Sequence, residues 1–154
     1  MRTIDRLLDQ YTGDHLNPTN QVIHVICVPA IVWSASAMLW TIPVPTGYFQ
    51  PGTWCAVGMF LAWSYYWQLS HKLALGMLVC FLGAGFLNRW IADRYGMGNL
   101  LWLAIGVFVI AWIGQFIGHK VEGKRPSFLT DLVYLLVGPL WTLNKLYRRI
   151  GVGY

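Results

Sequence analysis

The sequence predicts an all-α fold: a polytopic membrane helical bundle of four transmembrane helices, with an amphipathic N-terminal helix and an interfacial or re-entrant C-terminal helix. Three observations predict it. Only 11% of the 154 residues are charged and 56% are hydrophobic, whereas soluble domains carry about 25% charged residues. Four apolar runs, residues 22–40, 53–69, 73–92 and 100–118, hold at most one Asp, Glu, Lys or Arg each and approach the ~20 residues that a bilayer crossing needs. Tryptophans flank the connections between them, Trp40 with Trp54 and Trp90 with Trp102, as in an interfacial aromatic belt.

Taken in order, residues 3–11 read as a short amphipathic helix, with Ile4, Leu7, Leu8 and Tyr11 on one stripe. That stripe can lie on the bilayer or on the bundle. Residues 12–21, TGDHLNPTNQ, read as loop. The first span, 22–40, carries His24 near its start and Pro29, which frees the carbonyl of Val25. Residues 41–52 hold three prolines and read as loop, followed by the second span, 53–69. Ser70, His71 and Lys72 form a tight turn into the third span, 73–92, whose Gly76, Gly83 and Gly85 permit close helix packing. Residues 93–99 read as loop and 100–118 as the fourth span. Ser127 can cap a last helix through Arg148, whose apolar core of ten residues contains Gly138-Pro139 and is too short to span.

The whole chain, 1–154, reads as one membrane-embedded domain. The N-terminal twenty residues lack the apolar core of a cleaved signal peptide. The net charge of +5 points to an anionic membrane surface and not to nucleic acid. Cys27, Cys55 and Cys80 are odd in number, lie in apolar runs and form no CxxC, so they read as small core residues. With four spans, one side holds Arg2, Arg6, Lys72, Lys120, Lys124, Arg125, Lys145, Arg148 and Arg149, and the other holds Arg89 and Arg94. The positive-inside rule then places both termini in the cytoplasm, in a bacterial inner membrane or an endoplasmic reticulum. A fifth span would even the split to six against five.

This topology puts His15, His24, His71 and His119, all the histidines of the chain, at the cytoplasmic ends of different elements. Ionisable groups at membrane depth are functional by default, and four neutral imidazoles at one end suit a metal. The segment QFIGHKVEGKRP, residues 115–126, adds to the pattern. Gln115 and His119 share a helix face, Glu122 extends it, Lys124 and Arg125 follow, and Pro126 ends the helix. The plain alternatives are scattered interfacial histidines on a non-enzymatic scaffold, or a bis-histidine haem protein, though no haem-attachment motif occurs. Glu122 reads as a metal ligand, as a partner orienting an imidazole, or as an ion-pair partner of Lys120 or Arg125.

HLNPTNQVIHVICVP (residues 15–29), YYWQLSH with ALG after it (65–76) and QFIGHKVEGKRP (115–126) together resemble the Fe(II)-dependent 2-hydroxy fatty acid dioxygenase family. These are small membrane proteins, and their fungal members sit in the endoplasmic reticulum. The resemblance covers nearly the whole chain. It implies oxidative removal of one carbon from a 2-hydroxy fatty acid, with O2 consumed and CO2 released. It aligns His15, His24, His71 and His119 with the family's histidines as metal ligands. Asn20, Gln115, Glu122, Arg125 and Pro126 match the family's polar motif positions. Where family members often carry a glutamate after the proline matching Pro139, this chain has Asn144. Fe(II), O2, the 2-hydroxy fatty acid and membrane lipid are the implied cofactor and partners. Lys72, Lys124 or Arg125 would hold the substrate carboxylate, Arg best because its fork is bidentate.

Overall fold

The computed structural model describes all residues except Met1, Thr46, 124–127 and Tyr154, and only the backbone of 128–133. Six helices follow one another: α1 (Thr3–Gly13), α2 (Pro18–Trp40), α3 (Thr53–Leu69), α4 (His71–Tyr95), α5 (Met97–Glu122) and α6 (Phe128–Arg149). Among the described residues there is no strand.

Three of these helices, α2, α4 and α5, are long and apolar enough to cross a membrane, not the four that the apolar runs suggested. The second expected span forms a helix over the expected residues, but α3 has only 17. At 1.5 Å per residue it covers about 25 Å, short of the ~30 Å hydrocarbon core. It still returns the chain across the bundle. Lys145 of α6 reaches Gln21 at the start of α2, and Tyr147 reaches the carbonyl of Lys72 at the start of α4. Glu122, the last residue of α5, meets Asn20. The starts of α2 and α4 and the end of α5 therefore share one end of the molecule, and α3 runs back towards it.

The polar linkers are shorter than composition implied. The expected loop 12–21 shrinks to four residues, because α1 continues to Gly13 and α2 starts at Pro18. Asn17 caps α2, its side chain accepting from the N–H groups of Thr19 and Asn20, and Pro18 occupies the first turn. Asn-Pro here opens a helix, since proline's missing N–H costs nothing at that position. Pro29 lies inside α2 without ending it. The expected loop 93–99 reduces to Gly96, whose φ of 90° suits glycine. Ser70 alone, extended at φ −163°, separates α3 from α4.

α1 faces the bundle and not the bilayer. Ile4, Leu8 and Tyr11 are buried in one core with Val137, Leu140 and Trp141 of α6 and with Leu73, Ala74 and Met77 of α4. The C-terminal helix thus packs across α1, α2 and α4. A second core, Ala37, Ile91, Ala92, Leu100 and Ala104, lies at the far end of α2, α4 and α5. α2 and α5 approach most closely through Gly114 and Gly118. A Cβ at Gly114 would stand 2.6 Å from the Cys27 sulfur, and one at Gly118 would run into the Asn20 side-chain oxygen. This is the small-xxx-small contact of membrane helices. Between α2 and α4, the buried Asn88 amide donates to Ser36 Oγ at 3.1 Å. Of the cysteines only Cys55 is buried; Cys27 is half-buried and Cys80 exposed, so the expectation of three core thiols holds for one.

Candidate metal centre

The tight α1–α2 turn brings three histidines together. His15 lies in the turn, His24 in the second turn of α2 and His119 in the last turn of α5. Their ligand atoms all lie within 4.8 Å of one another. Ring centroids stand 4.2 Å apart for His15 and His24, 5.2 Å for His24 and His119, and 5.7 Å for His15 and His119. His15 and His24 are each only 2% exposed, and His119 is half-buried.

Hydrogen bonding fixes what these rings can do. His15 Nδ1 lies 2.6 Å from the Tyr11 carbonyl, which can only accept, so Nδ1 carries the proton and Nε2 keeps a lone pair. His24 Nδ1 pairs with the Tyr11 hydroxyl at 3.1 Å. Nε2 of both rings is buried and has no hydrogen-bond partner. A buried polar atom left unpaired costs about 1–3 kcal/mol, and two such nitrogens beside a third imidazole are a donor set able to hold a metal ion. Burial holds the His15 pKa below its ordinary value, opposed by the Tyr11 hydrogen bond, so the ring is neutral at pH 7, as a ligand must be.

Glu122 holds the turn in place. Its carboxylate accepts from the N–H of Leu16 at 2.9 Å, the N–H of Asn17 at 3.0 Å and the Asn20 side-chain amide at 2.9 Å. A charge at the first turn of α2 also suits the helix dipole. From the other side Gln21 donates to the His15 carbonyl at 2.7 Å, and Lys145 donates to Gln21 at 2.6 Å. Lys145 also stands 4.1 Å from the centroid of the Trp141 ring, which lies 5.9 Å from the His15 ring.

The expected residues therefore divide. His15, His24 and His119 converge. His71 does not: it is exposed at the start of α4, its ring 4.4 Å from Trp67, so a site of four histidines does not form. Among the described residues neither Gln115, Asn20 nor Glu122 bonds an imidazole, and Tyr11 does so in their place. Gln115 is buried with its amide nitrogen unpaired and lines the same cavity as the three histidines. Lys72 donates to the Gly153 carbonyl. Asn144 is buried with an unpaired side-chain oxygen. Lys124, Arg125 and Pro126, and the expected cap Ser127, lie outside the described residues. Reading the sequence missed Tyr11, Gln21 and Lys145; the one available signal was that Tyr11 precedes His15 by a single helical turn.

The cavity beside the imidazoles holds about 60 Å³ and is walled mainly by Val28, Ile31, Val32, Trp112, Phe116 and Leu135. It exceeds the ~10–15 Å³ that one water needs. The site is thus a cluster of nitrogen donors at the head of an apolar pocket. A larger apolar groove of about 710 Å³ lies on the other side of α6, against α2 and α4.

Residues 1–150 match the Mpo1-like family, described as 2-hydroxy-palmitic acid dioxygenase Mpo1-like. The chain is 32% identical over 145 residues to the 2-hydroxy-palmitic acid dioxygenase MPO1 of Saccharomyces cerevisiae, covering 92% of this chain and 78% of the relative. No solved structure matches.

Proposed function

We propose that this chain, which belongs to the Mpo1-like family, is an iron-dependent dioxygenase of 2-hydroxy fatty acids. The overall reaction would be R–CHOH–COOH + O2 → R–COOH + CO2 + H2O, a one-carbon shortening. The observation that carries the reading is the pair of buried, unpartnered Nε2 atoms of His15 and His24 facing His119. A bound Fe(II) would supply a redox-active centre with open positions for O2 and for the hydroxyl and carboxylate of the substrate.

The protein's own residues do the rest. His15, His24 and His119 hold the metal. Glu122 stays outside the ligand set, since its oxygens are committed to the Leu16, Asn17 and Asn20 groups. Asn20 completes that clamp. The acyl tail lies along Val28, Ile31, Val32 and Phe116, excluding water from the reacting end. Gln115, which lines the cavity of the three histidines, would donate its amide N–H to a substrate oxygen. Arg125, three residues beyond Glu122, is the carboxylate anchor this reading favours. The enzyme works in the membrane because its substrate dissolves there, with both termini on the cytoplasmic side.

A bis-histidine haem does not suit this geometry, because 4.2 Å between His15 and His24 ring centroids leaves no slot for a porphyrin. Purified protein reconstituted anaerobically with Fe(II) tests the proposal. Stoichiometric iron, with O2-dependent consumption of a 2-hydroxy fatty acid, is expected. A metal-free, inactive preparation that is folded would favour a scaffold.

A further inference from the structure

Tyr11 touches the candidate centre through its carbonyl, its ring and its hydroxyl. Its carbonyl accepts from His15 Nδ1 at 2.6 Å, its ring stacks on the His15 ring at 4.2 Å and 15°, and its hydroxyl pairs with His24 Nδ1 at 3.1 Å. It is buried, between Trp141 and Tyr134 of α6, with ring centroids 5.2 and 5.4 Å away. Gly138 of α6 leaves room for the hydroxyl: a Cβ there would stand 3.1 Å from the Tyr11 oxygen.

We infer that Tyr11 is the positioning residue that sets the tautomer of His24, its hydroxyl oxygen accepting the Nδ1 proton so that Nε2 presents its lone pair beside that of His15. The inference rests on the metal-site reading proposed above. A phenol oxygen can accept, and an imidazole that ligates through one nitrogen characteristically donates from the other. One residue then prepares two ligands, through its backbone for His15 and its side chain for His24. The two routes are separable, because Tyr11→Phe removes the hydroxyl and keeps the carbonyl and the stacking ring.

The test uses the full chain in detergent, metal-free, with 15N-labelled histidine. In the wild type both His15 and His24 are expected as Nδ1–H tautomers. Tyr11→Phe should leave His15 unchanged and turn His24 into a tautomer mixture. Co(II), used as the metal probe, should bind Tyr11→Phe about 10-fold more weakly. In the iron-loaded enzyme kcat should fall while KM for the 2-hydroxy acid holds. Leu8→Ala is the control: it thins the same α1–α6 core without touching an imidazole, and should lower thermal stability while His24 and Co(II) affinity stay as in the wild type. An unchanged His24 tautomer and Co(II) affinity in Tyr11→Phe overturns the inference, and so does a Leu8→Ala protein that reproduces the Tyr11→Phe changes. Failure of the wild type to bind Co(II) overturns the metal reading alone, since the tautomers are read without metal and decide Tyr11 by themselves.

Discussion

At the residue scale, the three clustered imidazoles and the solitary one predict opposite outcomes. His15→Ala, His24→Ala and His119→Ala should each lose the bound metal and turnover. His71→Ala should keep its metal content, because that ring packs on Trp67 and not on the other histidines. Metal analysis of the four purified proteins, with folding checked by circular dichroism, separates the two classes. Glu122→Gln makes a subtler case. The amide can accept at one oxygen only, so charge-assisted bonds to Leu16, Asn17 and Asn20 are weakened, and each bond of that kind contributes about 1.5–3 kcal/mol. The variant should unfold at a lower temperature and bind metal more weakly, by about 10–100-fold. A variant that keeps its melting temperature while losing all metal would instead make Glu122 a ligand. The sequence marked the chemistry-bearing residue types well and their partnerships poorly. Histidine and glutamate stand out in an apolar chain, whereas a tyrosine on an amphipathic stripe looks like any other core residue until α6 is seen to close over it.

At the scale of elements, the α2–α5 contact decides where two of the three imidazoles stand. Gly118→Ala would drive a methyl group into the Asn20 amide, with a cost of about 1–3 kcal/mol for overpacking. Because Asn20 is tied to Glu122, the displacement should also reach the turn that carries His15. Gly106→Ala is the matched control, since nothing lies within 4 Å of a Cβ there. Thermal unfolding and metal affinity should both drop for the first variant and hold for the second. The apolar runs were legible because a membrane helix announces itself by length and hydropathy. The linkers misled for a physical reason: Asp, Asn, Pro and Gly mark turns by composition, yet Asn17-Pro18 caps a helix and Gly96 alone turns the chain between two. The sequence reading singled out Gly76, Gly83 and Gly85 for close packing and passed over Gly114 and Gly118, whose partners Cys27 and Asn20 appear only in the structure.

At the scale of the molecule, the alternation of α2, α3, α4 and α5 places the histidine end of the bundle with both chain termini. Reporter fusions after Tyr154 and within the α2–α3 connection near Gly47 should report opposite sides of the membrane, with the terminal reporter cytoplasmic. The same side for both would mean that α3, at 17 residues, dips into the bilayer without crossing. The charge asymmetry was counted over four spans, whereas three helices are long and apolar enough to cross, so the reporters decide the side of each terminus.

The docking of α1 against α6 also has a consequence in time. His15 leaves the ribosome among the earliest residues, but the Tyr11 ring beside it is enclosed by Trp141 and Tyr134, which emerge more than a hundred residues later. Helices α2 to α5 can be inserted while the centre is still half-built. On the metal-site reading proposed above, loading is then a late step of biogenesis, since a chain that lacks α6 has its donors without the rings that enclose Tyr11. A released chain truncated after residue 127 should integrate into the membrane and bind metal far more weakly than the full chain, so that the last helix to be synthesised acts as the clasp that completes the first.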